Sequence, residues 1–419
     1  MLGGILFPYA VTLIFFVTLH SEKSTNMKQS LILLFWVVSS VIMAKDIMAE
    51  AIIKSEMKRC PQACYTDSPT RVKWSYTGGL KVGAMLDYYE VSKDRTVLDY
   101  CMQYADSFIT NDGQIRSYKL TEYNIDMINS GKCLFQFYRL TGEERFNKAL
   151  TLLRSQLDTH PRNADGGFWH KKIYPNQVWL DGVYMGTPFL AEYTYCFDKD
   201  NKTAWADVVN QILMAARHTY DSQKGLFRHA CDVSRKMGWA DPQTGQSSHC
   251  WGRALGWYMM AIVDALPFIP EEVEGRDSIL IVLNTIAEGI DRYKDEKTGL
   301  WYQVLDSPER TGNYLESSCS AMFIYSMLKA VRLGYLPKKY KAIAKRSYKN
   351  FIKQFIYTST EQLPDGSIST LVNIGSCCAV AGLSKDRPGT FDYYINERKQ
   401  DNDPKVVGPF IKASLEMNR

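Results

Sequence analysis

From Asp46 onward, apolar residues recur at three- and four-residue spacing with polar positions between them. That period predicts helices over 80–89, 128–140, 145–157, 183–197, 204–219, 255–268, 279–293, 321–333 and 340–355. Sustained alternation with a period of two is scarce, and no Pro/Ser-rich linker interrupts the pattern. The expectation is an all-α chain with one domain over 45–419. A loose internal repeat runs through it: a helix opens on small residues, passes through aromatics and breaks at a polar turn before a second helix follows. Ile128-Asn129-Ser130-Gly131, Leu180-Asp181-Gly182, Trp251-Gly252-Arg253 and Ser317-Ser318-Cys319-Ser320 open four such units. They follow one another at about 50–70 residues, a solenoid-like period. Counted from Asp46 to near Leu383, this gives six helix pairs.

The first helix of each pair is apolar on most faces, as a helix buried on all sides must be. Six pairs closing on themselves predict an (α/α)6 barrel, and an open superhelical solenoid is the alternative. In either, the inner helices start at one rim, where their connecting loops pool.

The N-terminus departs from the periodic pattern. Met27-Lys28-Gln29-Ser30 precedes an apolar run from Leu31 to Met43, followed by Ala44-Lys45-Asp46. A short basic start, an apolar core and a small residue mark an export signal. Residues 1–44 therefore read as an extension plus signal peptide, with translation starting at Met27 and a periplasmic or secreted product. The runs at 5–19 and 31–43 are too short to span a membrane, a membrane hairpin being the other reading. No Leu-x-x-Cys follows to take a lipid, and no stable membrane insertion is expected after cleavage.

Composition narrows the function. Apolar residues make up 46% of the chain and aromatics 13%, enough to fill a large core and still line a groove for flat ligands. A net charge of +5 with interspersed signs gives no footprint for nucleic acid. The ten cysteines form no disulfide framework in a chain this long and are expected to be reduced. Cys133, Cys196, Cys250 and Cys319 read as small buried hydrophobes, and Cys60 with Cys64 lacks the partners of a zinc site.

Candidate chemistry gathers where inner helices begin. Gly167-Phe168-Trp169-His170 and Gln177-Val178-Trp179-Leu180-Asp181-Gly182 precede one of them. Phe227-Arg228-His229 and His249-Cys250-Trp251-Gly252-Arg253 precede the next, with Trp257 on the helix itself. Carboxylates for proton transfer, Trp for ring faces and Arg for a carboxylate fork suit a sugar-acid site. Each residue also has a plainer reading. Asp181 and Asp126 stand where helix N-caps stand, and capping lowers a carboxyl pKa. His170 and His229 read equally as hydrogen-bonded structural residues. Two carboxylates on one rim would repel, raising one pKa. A buried Arg253 needs an anion, from the protein or from a ligand. The dispersed histidines form no metal set, so neither metal nor cofactor is expected.

Taken in order, these strings resemble the unsaturated rhamnogalacturonyl hydrolases of glycoside hydrolase family 105. The likeness runs from about Lys45 to Met417. It includes Gly167 to Pro175, Trp179-Leu180-Asp181-Gly182-Val183-Tyr184-Met185, Trp251 to Tyr258, Glu316 to Phe323, Lys329 to Tyr335, Tyr393-Tyr394 and Val407-Gly408-Pro409-Phe410. The resemblance implies an (α/α)6 barrel that removes 4,5-unsaturated galacturonic acid from the non-reducing end of pectin-lyase products by hydrating the vinyl ether. It implies Asp181 as proton donor and Asp126 as the second acidic residue. His170, His229, Trp251, Arg253 and Trp257 would line the uronate pocket, with Trp74 and Tyr76 near the leaving sugar. Asn176 and Leu255 depart from the family pattern and bear on subsite preference. Three alternatives stay open: an unsaturated glucuronyl hydrolase for glycosaminoglycan fragments, an inverting glycosidase using Asp126 and Asp181, and a sugar-binding toroid without catalysis.

Overall fold

A helix that is apolar on every side must be covered on every side, and that requirement sets the architecture. The computed structural model describes residues 47–67 and 70–419. The expected extension, the Met27 start and the export signal ending near Ala44 lie outside those residues. The helices are α1 Ile47–Arg59, α2 Tyr76–Ser92, α3 Arg95–Phe108, α4 Lys132–Thr141, α5 Glu144–Thr159, α6 Leu180–Phe197, α7 Lys202–Thr219, α8 Gly252–Ala265, α9 Arg276–Arg292, α10 Ser317–Arg332, α11 Lys339–Phe355, α12 Phe391–Asn396 and α13 Pro404–Met417.

Six of these form the inner ring. α2 packs on the 3-10 turn Ile125–Gly131 that leads into α4; α6, α8, α10 and α13 follow in turn, and α13 returns to α2. The chain is an (α/α)6 barrel. α8 and α10 are buried along nearly their whole length, whereas the outer helices α3, α5, α7, α9 and α11 bury one face only.

The six-pair count holds, but the sixth pair differs from the expected one. It is not complete by Leu383. Its inner member is α13, near the end of the chain, and its outer member is α1, which packs on α13. Two buried contacts anchor α1. Lys81 Nζ of α2 lies 2.9 Å from Glu56 Oε2, both side chains almost fully enclosed. Arg59 reaches Glu361, Asn373 and the carbonyl of Val372. The last contacts belong to an antiparallel hairpin, Ile356–Gln362 with Ile368–Ile374, the main departure from the all-helical expectation. In its second strand Leu371 and Asn373 are buried while Ile368 and Thr370 are exposed, and Gly366 turns the chain at φ +83°.

Close approach at the rim depends on small residues. Ser130 Oγ accepts from Gly79 N at 3.0 Å and donates to Ser75 O at 2.5 Å, tying α2 to the 3-10 turn. All ten cysteines are unpaired thiols. Cys133, Cys250 and Cys319 are buried as expected; Cys196 is exposed, because the end of α6 turns it outward. Among the described residues, no helix is long and apolar enough to cross a membrane.

Candidate active site

The strand Gln177–Trp179 pairs antiparallel with Ala230–Asp232, setting Trp179 opposite Ala230. Leu180 N then donates to His229 O at 3.1 Å. Asp181, in the first turn of α6, is thereby delivered beside His229, with Oδ2 3.3 Å from Nε2. The cap reading of Asp181 does not survive this geometry. Trp179 holds the N-cap position, no side chain caps the helix, and Asp181 Oδ2 is buried without a hydrogen bond. Behind it, the fully buried His229 has Nδ1 2.7 Å from Tyr394 Oη. Burial pushes the Tyr394 phenol well up, so it keeps its proton. The Tyr394 hydroxyl thus fixes the orientation of the ring, with Nε2 facing Asp181.

Asp126 does not cap either. Asn124 fills that role, accepting from Asp126 N at 3.1 Å. The Asp126 carboxylate instead meets Lys171 Nζ at 2.6 Å and His170 Nε2 at 3.5 Å. Burial pushes its carboxyl up, but the Lys171 ammonium and His170 more than reverse this and hold it below the usual range. The expected upward shift from mutual repulsion is therefore absent at Asp126, because a lysine neutralises it. His170 itself is pushed down to about 4, first by burial, so its ring is neutral near pH 7. It lies parallel to Trp179 at 4.6 Å, while Trp179 meets His229 edge-on at 5.2 Å. This aromatic bridge brings the Asp126 and Asp181 halves to one rim. Gly182 is explained here too: a Cβ at that position would stand 2.8 Å from His170 Nδ1.

Arg253 is 1% exposed and lies across the Trp251 ring at 4.6 Å. Its Nη1 donates to Cys378 O and, at 3.5 Å, to Ser318 Oγ. Among the described residues no carboxylate forms an ion pair with it; Glu316 is one hydroxyl away, accepting from Ser318 Oγ at 2.8 Å. Trp257 is buried, stacked on Tyr184 at 4.8 Å with its edge towards Tyr76 at 6.4 Å. Tyr76 is half-buried, and its phenol is raised by burial while feeling the charges of Lys405, Arg253 and Asp126.

Trp74 corrects an expectation. It has no exposed surface; its indole donates to Met127 O at 2.8 Å and packs on Tyr104 and Phe108. It is a core residue between α3 and the 3-10 turn Ile125–Gly131 and offers no face to a sugar. Sequence reasoning also missed Lys171, Glu316, Tyr394 and Tyr174, whose ring stacks on Trp179 at 5.3 Å, as parts of the site. Lys171, adjacent to His170, was within reach of motif reading; Tyr394 stood in one of the matched strings, but nothing local tied it to His229, 165 residues away. Among the described residues no group of three or more His, Cys, Asp or Glu is placed to hold a metal ion.

Similarity to known proteins agrees with this architecture. Residues 48–419 match the family model described as Glycosyl Hydrolase Family 88. A solved glycoside hydrolase from family 105 of C. acetobutylicum is 41% identical, covering 88% of this chain and 98% of its own, with a TM-score of 0.81. Protein Atu3128 of Agrobacterium fabrum is 35% identical over 233 residues, which are 55% of this chain and 97% of that protein. The unsaturated rhamnogalacturonyl hydrolase YesR of Bacillus subtilis is 25% identical over 281 residues, 64% of this chain and 75% of its own. The unsaturated glucuronyl hydrolase of Bacillus sp. GL1, at 15% identity and a TM-score of 0.62 over 88% of this chain and 97% of its own, shares the fold. With its barrel, its matched length and these relatives, the chain belongs to glycosyl hydrolase family 88 and is a glycoside hydrolase.

Proposed function

We propose that this glycosidase removes 4,5-unsaturated galacturonic acid from the non-reducing end of rhamnogalacturonan-lyase products, with Asp181 as the acid. The observation that carries the reading is the contact of half-buried Asp181 with buried His229, 3.3 Å apart, in which neither facing atom has a hydrogen bond. Such a pair is poised to exchange a proton with a third partner. The name of YesR supports the choice of substrate. The leader expected over Met27–Ala44 would place the enzyme outside the cytoplasm.

In the reaction, the Asp181 carboxyl gives its proton to C4 of the unsaturated ring, and the C4–C5 π electrons form the new C–H bond. The positive charge is shared between C5 and the ring oxygen. Water adds at C5 as Asp181, now a carboxylate, takes up the proton it loses. The C5 hemiketal opens to a ketone, C1 is left as a hemiacetal, and its collapse to an aldehyde releases the remaining sugar as an alcohol. His229, held by Tyr394, steadies the Asp181 carboxylate between the two transfers. Arg253, lacking an ion-paired carboxylate of its own, supplies positive charge for the uronate. The neutral His170 and the Trp179 ring wall the site, and Asp126 with Lys171 orients the sugar.

The test offers the protein rhamnogalacturonan-lyase products and chondroitin-lyase products side by side and follows loss of the ultraviolet absorbance of the unsaturated uronate. Faster loss on the first is expected, and preference for the second would reassign the substrate. Asp181→Asn should lower kcat by about 10³-fold or more while leaving binding of the oligosaccharide largely intact. Normal turnover by that variant would remove Asp181 from the acid role.

A further inference from the structure

The inner helices α2, α4, α6, α8, α10 and α13 together line a partly open cavity of about 240 Å³. Its lining is charged, which is unusual for a barrel axis. Lys132, Arg139, Lys329, Lys412 and Arg419 contribute five cations, and Asp87, Glu192, Asp264 and Glu416 four carboxylates. Every carboxylate is taken. Asp87 accepts from Lys412 and, at 2.8 Å, from Gln136. Asp264 accepts from Lys329 and Tyr325, both at 2.6 Å. Glu192 pairs with Arg139 at 2.8 Å, and Glu416 with Arg332 and Arg419 at 2.7 and 3.0 Å.

Lys132 is the cation left over. Among the described residues no carboxylate lies within ion-pair distance of it. Its Nζ has a single acceptor, Tyr184 O at 3.4 Å, and stands 3.3 Å above the Tyr184 ring. An ammonium has three donors, and this one spends at most one of them on the protein. The side chain is half-buried and lines the cavity, the direction from which an anion can be supplied. The space is large enough for a small ion with several waters, a water's share of liquid being about 30 Å³.

We propose that this cavity is a binding site for a small monovalent anion, a halide or a short carboxylate, held on Lys132. The remaining titratable neighbours do not take its place. Burial raises the Cys133 thiol to about 12 and the Tyr184 and Tyr325 phenols well above their usual range, so none of them offers negative charge near neutral pH. Burial likewise lowers Lys132 to about 7, against the pull of Asp264 and Glu192 and with the push of Lys412. An arriving anion therefore brings a proton with it when the pH is above that value. The site is separate from the candidate active site, with the Tyr184 ring, stacked on Trp257, between Lys132 and the site floor.

Calorimetric titration of the full chain with sodium chloride and with sodium formate, at constant ionic strength set by a bulky sulfonate, tests this. Saturable binding of one anion per chain is expected, with proton uptake at pH 8 seen as a dependence of the heat on buffer ionisation. Response to chloride alone assigns a halide site and to formate alone a carboxylate site; response to both supports the proposal as stated. Lys132→Met should abolish the heat and the anion-dependent rise in Tm while keeping the wild-type circular dichroism spectrum. If that variant does not fold, the wild-type stoichiometry and proton uptake decide alone. Absence of saturable heat in the wild type, or its persistence in Lys132→Met, overturns the proposal.

Discussion

His160 and His170 are both buried, and burial is the chief cause that brings each imidazole down to about 4. Their unfolded counterparts take up a proton near pH 6.5. Between those values the unfolded chain binds protons that the folded one refuses, so folded stability falls as the pH falls from about 6.5 to about 4. Each ring contributes a loss of about 2 kcal/mol by pH 5. Urea unfolding at pH 7 and pH 5 should show a clearly lower midpoint at pH 5; equal midpoints would mean that both rings protonate freely in the fold. The same neutrality matters to the candidate site. A cationic His170 would compete with Lys171 for Asp126, whereas the neutral ring lies against Trp179 as a flat wall. The types of residue at the rim were legible from motif spacing because loops before inner helices must converge. Their states of charge were not, since Lys171 and Tyr394 act through contacts that no local pattern encodes.

Elements meet at the rim through glycines and hydroxyls, and this is where single atoms decide packing. A Cβ at Gly79 would lie 2.3 Å from Ser130 Cα, a backbone atom that cannot rotate away. Gly79→Ala must push α2 from the 3-10 turn Ile125–Gly131 and break the Ser130 bridge to Ser75. The expected loss is about 3 kcal/mol, measured by chemical unfolding, with a fall in activity because Asp126 rides on the same turn. Gly83, one turn further along α2, has open space at its Cβ position and serves as the control: Gly83→Ala should leave stability unchanged or slightly raised. Helix periodicity made most of these elements readable. It did not reveal α13, where Gly408 and Pro409 break the apolar run on paper. In the barrel Gly408 is needed, since a Cβ there would come within 2.9 Å of Leu80.

For the whole molecule, the telling interaction is the buried Lys81–Glu56 pair, which joins the first outer helix to the first inner one. Lys81→Met strands Glu56, leaving it with Arg59 alone at 2.8 Å, and should cost about 3 kcal/mol or more in urea unfolding. Replacing both residues by Met and Leu should recover most of that loss. A double replacement as unstable as the single one would show that α1 is held by something other than this pair. The sequence repeat announced six pairs correctly, but it could not say which ends meet, because α1 and α13 share no local signal.

That closure has a bearing on how the protein is made. Five helix pairs can form in the order in which the ribosome releases them, each packing on its predecessor. The sixth cannot. Its outer helix is finished first and its inner helix last, so until Pro404–Met417 emerge the chain is an open horseshoe, with α2 and α10 each exposing a face meant for α13. Contacts spanning nearly the full chain are the slowest to form. The nascent chain therefore keeps both seams uncovered until α13 has been made, and this fourteen-residue helix acts as the keystone that seals them at once.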